Sequence, residues 1–313
     1  WYQFRFVSPH YNDGPFDPTE IKNWAPVDQY TGGVEHAILH LLYARFVTKA
    51  LRDLGLLDFN EPFVRLFSQG TIISDGMKMS KSRGNVINPD DYVAKLGADV
   101  VRIYLMFIGP WDQGGEWNDA GINGVARWLN RVWGICQRDV SDLSGPCGGD
   151  STANNLRILH KTIRKVNQDL SRFKFNTAIA SMMEFSNYLG KVWASKEIDE
   201  DMWKLSVETL LLMLAPIAPH TTEELWERNG NKFSIHAQSF PKWDDALTKE
   251  NLITMIVQVD GKVRDQVEMV LDISEEESTD IVMARSKVKK HVGGRDVIRI
   301  IYIPNRLINV VTK

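Results

Sequence analysis

The string Lys78-Met79-Ser80-Lys81-Ser82-Arg83-Gly84-Asn85 places three cations in six positions, separated by hydroxyl residues and bounded by Gly76 and Gly84. A loop of this kind can fold over a polyphosphate, and its charge can act as phosphate charge redistributes. The same composition also suits a solvated surface loop. A second cluster, Gly32-Gly33-Val34-Glu35-His36-Ala37-Ile38-Leu39-His40, sits at the expected mouth of a helix. Paired glycines admit a ligand close to the backbone, and a helix N-terminus offers free N–H groups and positive potential to a phosphate. His36 and His40 are four residues apart and are expected on one helical face. Zinc is the rival occupant, but Glu35 lies outside the His-Glu-x-x-His spacing and no third ligand is evident in the sequence. Two packed, hydrogen-bonded histidines are the plainer alternative.

These residues need elements to hold them. Ile38, Leu41, Leu42, Phe46 and Leu51 recur at helical spacing and predict one helix from Glu35 to Leu54, ended by Gly55. Arg65 to Ile73 reads as a buried strand feeding an exposed loop, Ser74 to Asn88. Asn88-Pro89-Asp90 opens a further helix, and Tyr92 to Phe107 reads as two helices joined near Gly97. Upstream, residues 1–34 hold short elements among turn residues such as Asn12-Asp13-Gly14-Pro15. From Asp119 to Arg228 the pattern is helical, with helices expected near 120–141, 154–171, 176–194, 200–214 and 220–228. That is a bundle, with a linker across 141–151. The last segment predicts strands over 252–259 and 262–270 joined by Asp260-Gly261, a dipeptide suited to a tight hairpin. Ser274 and Glu277 match a capping box for one helix whose last turns carry Arg285, Lys287, Lys289 and Lys290. Strands over 297–303 and 307–311 complete a small ββαββ unit.

Composition limits the class. At 313 residues, two or three domains are expected. Hydrophobic residues at 43% and charged residues at 25% argue against wholesale disorder and collagen-like sequence. No stretch approaches the length needed to span a bilayer. The 37 Lys plus Arg against 40 Asp plus Glu give no global hint of a nucleic-acid partner. That balance nevertheless hides a basic stretch over 150–196, eight cations against three anions, and an acidic one over 197–229, two against eight. Two cysteines cannot build a disulfide framework, so a reduced, cytoplasmic setting is expected. The first methionine is Met77, and the chain is expected to be a piece of a longer polypeptide.

The lysine-rich string resembles the KMSKS motif of class I aminoacyl-tRNA synthetases. Gly32 through Phe46 resembles the corresponding block of bacterial-type leucyl-tRNA synthetases, where the isoleucyl and valyl enzymes carry an acid-Gln-x-Arg-Gly-Trp text. Trp1-Tyr2, Pro26-Val27-Asp28-Gln29-Tyr30, Gly97-Ala98-Asp99, Asn130-Arg131-Val132-Trp133, Pro216-Ile217-Ala218-Pro219-His220 and Val259-Asp260-Gly261-Lys262 extend the likeness along the chain. The resemblance implies a multi-domain α+β protein. Its parts would be the second half of a Rossmann-like catalytic domain over 1–72, a KMSKS loop and connecting helices over 73–118, an anticodon-binding-type bundle over 119–245 and a tRNA-binding domain over 250–313. It implies an enzyme that joins leucine to ATP as leucyl-adenylate and transfers leucine to tRNA(Leu). Lys81, assisted by Lys78, would stabilise the departing pyrophosphate. Gly32, Gly33, Glu35, His40, Gln69, Met77, Ser80, Lys81 and Ser82 would contact ATP or the adenylate, while Tyr2, Tyr30, His36 and His40 would line the leucine pocket.

ATP with Mg2+ is then the substrate, with no structural metal in this segment and a monomer as the working state. The His-x-Gly-His half and the editing domain of such enzymes do not appear in the sequence. His291-Val292-Gly293-Gly294 lacks the final histidine and reads as a turn after a helix. The chain alone is therefore expected to be inactive. Only seven residues separate Gly70 from Lys78, which leaves no room for the leucine-specific domain that some relatives insert there. On the bundle, Arg127, Arg131, Arg157, Lys161, Arg164, Lys165, Arg172 and Lys174 are candidate RNA contacts, joined by Lys262 and Arg264 in the last segment. A solvated bundle face is the alternative for each. Two other functions stay open: a tRNA-binding module without catalysis, and a metal-dependent hydrolase using His36 and His40.

Overall fold

In the computed structural model, which describes residues 2–143, 145, 148–249 and 252–313, short elements fill the N-terminal region as its turn residues predict. Trp1 and the Pro146-Cys147 part of the expected linker lie outside the described residues. Helix α1 spans Tyr2–Val7, and Asp17 caps α2 (Pro18–Trp24) by accepting the Thr19 N–H at 2.8 Å. Strand β1 (Tyr30–Gly33) leads into a tight turn of 3-10 helix, Val34–Ile38, and then into α3 (His40–Asp53). The continuous helix expected from Glu35 is thus broken at Leu39, where φ is −111° and ψ −101°. Apolar spacing marks the right face but does not register a change from i+3 to i+4 hydrogen bonding. Gly55, at φ 75°, ends α3 as predicted.

The single buried strand expected over Arg65 to Ile73 is two strands, the first largely exposed and the second half-buried. Strand β2 (Leu66–Gln69) runs parallel to β1, with Tyr30 opposite Leu66 and Gly33 opposite Gln69, and Leu66 is 51% exposed. After Gly70 the chain enters a different sheet. There β3 (Thr71–Ser74) pairs antiparallel with β4 (Met77–Lys78) and parallel with β5 (Gly114–Glu116). Between them in sequence lie α4 (Pro89–Leu96), capped by Asn88, and α5 (Ala98–Phe107), separated at Gly97 with φ 89°.

The bundle follows: α6 (Asp119–Cys136), α7 (Gly149–Ser171), α8 (Phe175–Ser195), α9 (Glu200–Leu214) and α10 (Pro219–Arg228). Helix α6 stops at Cys136, short of the expected 141, and a 3-10 turn, Val140–Asp142, takes its place. Trp128, Ile179, Met182, Phe185, Leu210 and Leu214 are among the fully buried residues, and Trp128 Nε1 donates to Ser186 Oγ at 3.0 Å inside that core. Helix α5 is tied to the start of α10 by polar bonds. Buried Asp99 accepts the Thr221 N–H at 2.6 Å, and Arg102 donates to the carbonyls of Pro216 and Ile217, each at 3.0 Å.

The chain divides into two compact units, one formed by residues up to 155 with 162–242, the other by 156–161 with 243–313. The second unit contains β6 (Leu252–Val259), β7 (Lys262–Val270), α11 (Glu275–Ala284), α12 (Ser286–Val292), β8 (Val297–Ile303) and β9 (Leu307–Thr312), with sheet order β7-β6-β9-β8. Asp260 and Gly261, at φ 52° and 76°, form the expected hairpin turn. The single helix predicted after Ser274 is two, because Arg285 is extended at ψ 130°. Its guanidinium reaches Asp265 at 3.0 Å and Lys287 reaches the same carboxylate at 3.1 Å. Those cations neutralise a buried acid instead of simply completing a helix dipole, and the unit is ββααββ.

Candidate functional site

Parallel strands leave a crevice beyond their carboxyl ends, where ligands of α/β sheets commonly bind. Here β1 and β2 end together at Gly33 and Gln69. A pocket of about 250 Å³ opens there, lined by Tyr30, Thr31, Gly32, Gly33, His36, His40, Leu41, Leu66 and Gln69. Six residues singled out in the sequence therefore converge: Tyr30, Gly32, Gly33, His36, His40 and Gln69. Tyr30 stacks on Phe63 with ring centroids 3.9 Å apart, and its hydroxyl is hydrogen-bonded to His40 Nε2. His36 stands edge-on to His40 at 6.2 Å, although the two belong to different helical segments. Tyr2 is not among the lining residues; it is 74% exposed on α1, with its nearest ring contact at Phe6. Phe63, Thr31 and Leu66 were not singled out by sequence reasoning, since none falls in a spaced motif, and Leu41 was marked only as part of a helical face.

Glu35 lies at the same mouth. Its carboxylate folds back over Gly33, so that a Cβ on that glycine would lie 2.3 Å from Glu35 Oε2. Its own backbone N–H holds the Glu35 carboxyl below the usual carboxylate range, and the Lys78 charge adds to the effect, with a smaller one from His36. An ionised carboxylate is acceptor-only, which suits it to receive hydroxyl protons. Lys78, from the lysine-rich loop, is thus electrostatically coupled to the acid at the end of β1.

That loop has internal order. Asp75 and Gly76, at φ 55° and 69°, turn β3 into β4, and the Gly76 N–H donates to Glu116 Oε1 at 2.9 Å. Met77, on β4, is half exposed. Ser80 and Ser82 share a hydrogen bond of 2.8 Å, Lys81–Arg83 forms a 3-10 turn, and Gly84 closes it at φ 70°. The Asn85 amide accepts the Ser80 N–H at 2.9 Å and donates to the Ser74 carbonyl at 3.2 Å. Neither Lys78 nor Lys81 has an ion-pair partner within 4 Å among the described residues. Both cations therefore remain available to an anion. Glu116 and Asn85 are supporting residues to which sequence reasoning gave no role.

The candidate RNA contacts are more scattered. Arg127 and Arg131 lie on α6, and Arg131 lines a groove of about 400 Å³ with Gly134, Arg138, Asn187 and Gly190. The Arg138 guanidinium sits 5.2 Å from Trp193 and 5.6 Å from Trp203. On α7, Lys165 pairs with Asp169 at 2.7 Å, and Arg157 and Arg164 also have interaction partners. Lys262 is exposed at the hairpin, whereas Arg264 is half-buried on β7. Among the described residues no three His, Cys, Asp or Glu side chains come together as metal ligands. No described helix is long and apolar enough to cross a membrane.

Comparison with known proteins gives this geometry a context. The family model for tRNA synthetases class I (I, L, M and V) matches residues 8–115, and that for the anticodon-binding domain of tRNA ligase matches residues 154–279. The chain is 50% identical over 313 residues to a leucine–tRNA ligase of Dehalococcoides mccartyi, covering all of the chain and 38% of that protein. Identity is also 50% with the leucine–tRNA ligase of Rubrobacter xylanophilus, over 99% of the chain and 38% of that protein. The chain thus spans about two fifths of the length of these curated relatives. Among solved structures, a LeuRS of Agrobacterium radiobacter in a LeuRS–tRNA–LeuAMS ternary complex matches all of the chain and 42% of its own, with a TM-score of 0.80 and 35% identity. Methionyl-tRNA synthetase of Mycobacterium tuberculosis, at 18% identity and TM-score 0.53, shares the fold over 71% of the chain.

Proposed function

Since the chain is homologous over its full length to leucine–tRNA ligases, we propose that it forms the KMSKS-bearing part of an enzyme that activates leucine with ATP and transfers it to tRNA(Leu). The observation that carries this reading is the convergence of Tyr30, Gly32, Gly33, His36, His40 and Gln69 on a pocket beyond the ends of two parallel strands, with the Glu35 carboxylate folded over Gly33 at its mouth. In activation, the leucine carboxylate attacks the α-phosphate of ATP and pyrophosphate leaves. Negative charge grows on the leaving group, and cations held beside it act more strongly on that state than on bound ATP. Lys81, with Lys78, fills this role. Glu35 accepts the ribose hydroxyls above Gly33, Gln69 and the backbone around Met77 border the adenine, and Ser80 and Ser82 shape the loop. Mg2+ arrives with ATP as part of the substrate. Tyr30, His36 and His40 line the amino-acid side, with Leu41 and Leu66 as its aliphatic surface; apolar contacts of that kind separate near-isosteres by only about 1–3 kcal/mol.

Helix α3 presents Leu42, Tyr43 and Phe46 to solvent, each more than half exposed, and Leu39 just before the helix is exposed as well. An apolar surface of this kind fits burial against further polypeptide, which would also supply the rest of the ATP site. We accordingly assign the chain no activation chemistry of its own. The bundle and the ββααββ unit serve tRNA binding, with Arg127, Arg131, Lys262 and Arg264 as contacts, in a monomeric, cytoplasmic enzyme. Leucine-dependent ATP–pyrophosphate exchange tests the proposal: the complete gene product should catalyse it and the 313-residue chain alone should not. Exchange by the chain alone contradicts the division of labour. Salt-sensitive tRNA binding by a complete product that performs no exchange supports a binding module instead.

A further inference from the structure

The strongest unassigned feature of the lysine-rich loop is the way its two ends are held. Asn85 uses both ends of its amide: Oδ1 accepts the Ser80 N–H at 2.9 Å, while Nδ2 donates to the Ser74 carbonyl at 3.2 Å and reaches the Lys78 carbonyl at 3.5 Å. Those partners belong to three different parts of the loop: the end of β3, strand β4 and the entry to the Lys81–Arg83 turn. Only one orientation of the amide satisfies all three, because one neighbour is a donor and two are acceptors. Both Lys78 and Lys81 lie inside the ring of chain that these bonds close. The turn within that ring is further tied by the Arg83 N–H to the Ser80 carbonyl, at 3.0 Å, and by the Ser80–Ser82 hydroxyl bond.

We propose that Asn85 is a positioning residue that latches the loop in the shape from which Lys78 and Lys81 meet the departing pyrophosphate; this rests on the function proposed above. The latch touches no substrate. Without it, the Ser80 N–H loses its partner and the link from the turn to β3 and β4 is cut, so the lysines must be ordered during the reaction. An effect confined to that step appears in kcat for activation while leucine binding is spared. Aspartate at this position keeps the acceptor for Ser80 but cannot donate to the two carbonyls, and alanine keeps neither. The two substitutions therefore grade the loss.

Two measurements on the complete gene product test the proposal. Amide hydrogen exchange reads the latch without reference to activity: Asn85→Ala should speed exchange at Ser80 by roughly tenfold or more, and Asn85→Asp by less. Unchanged exchange at Ser80 in Asn85→Ala overturns the latch. In leucine-dependent pyrophosphate exchange, Asn85→Ala should lower kcat roughly tenfold or more with KM for leucine unchanged. Transfer of leucine from preformed adenylate to tRNA should stay at the parent rate, which also reports that the variant is folded. Unchanged kcat, or an equal fall in exchange and transfer, overturns the positioning role. A parent protein with no exchange activity but a Ser80 amide protected by Asn85 would instead sink the proposed function and leave the latch standing.

Discussion

Gly70→Ala should damage both stability and activation, because the chain changes sheets at that residue through a gap with no room for a side chain. A Cβ built on Gly70 lies 2.0 Å from the Gly114 nitrogen, 2.1 Å from the Gln113 carbonyl carbon and 2.5 Å from its oxygen. All three are backbone atoms and cannot rotate away. Restoring an ordinary separation of about 3.5 Å requires β3 and the 113–114 segment to part by about 1.5 Å. That movement breaks the Gly70 N–H bond to the Trp111 carbonyl, now 2.7 Å, and strains the Thr71–Gly114 pairing. Two backbone hydrogen bonds at about 0.5–1.5 kcal/mol each, with overpacking at about 1–3 kcal/mol, give roughly 2–6 kcal/mol. Urea titration followed by tryptophan fluorescence suits the measurement, since Trp111 and Trp117 flank β5. Gly190→Ala is the control: no atom lies within 4 Å of its Cβ, and in the middle of α8 the change should stabilise by about 0.5–1 kcal/mol. A Gly70→Ala protein unfolding within about 0.5 kcal/mol of the parent would refute the reasoning.

Other substitutions reach separate parts of the account. Asp99→Ala removes a buried acceptor from the first N–H groups of α10 and should cost about 2 kcal/mol in the same titration, with Asp99→Asn retaining part of it. Arg45 and Lys49, at 2.7 and 2.9 Å, hold the Glu61 carboxyl at about 2 against an ordinary 4.5. A depressed folded value means that the stabilisation is complete above pH 4.5 and is lost as pH falls towards 2. The group is largely exposed, so the gap between parent and Glu61→Gln should be about 0–1 kcal/mol at neutral pH and should close only as pH falls through about 2. In the complete gene product, deleting residues 251–313 should raise KM for tRNA while sparing adenylate formation; a collapse of exchange would mean that the last unit is needed for folding.

Features governed by neighbours in sequence were legible. Asn88 and Ser274 cap their helices, Asp260-Gly261 makes the hairpin, and Gly55 ends α3, each through contacts within a few residues. Three breaks were not legible, and two of them have a long-range cause. The chain leaves one sheet for another at Gly70 because of clearance against Gln113 and Gly114, and helix α11 ends at Arg285 where that side chain turns to Asp265. The break at Leu39 is a change of hydrogen-bonding pattern that apolar periodicity cannot register. The site divides the same way. Gly33, Glu35, His36, His40 and Lys78 could be singled out because chemistry and spacing coincide in short strings. Phe63 under Tyr30, Glu116 at the Gly76 turn and Asn85 across the loop act through contacts that no spacing rule marks.

The role assigned to Lys81 is tested most directly by single-turnover formation of leucyl-adenylate in the complete gene product carrying Lys81→Ala. A cation that acts on charge developing in the transition state should, when removed, slow the step by about 10²–10³ and leave the leucine Kd unchanged. A Lys81→Ala enzyme that forms adenylate at the parent rate, or one whose leucine affinity falls by the same factor as its rate, would contradict the account.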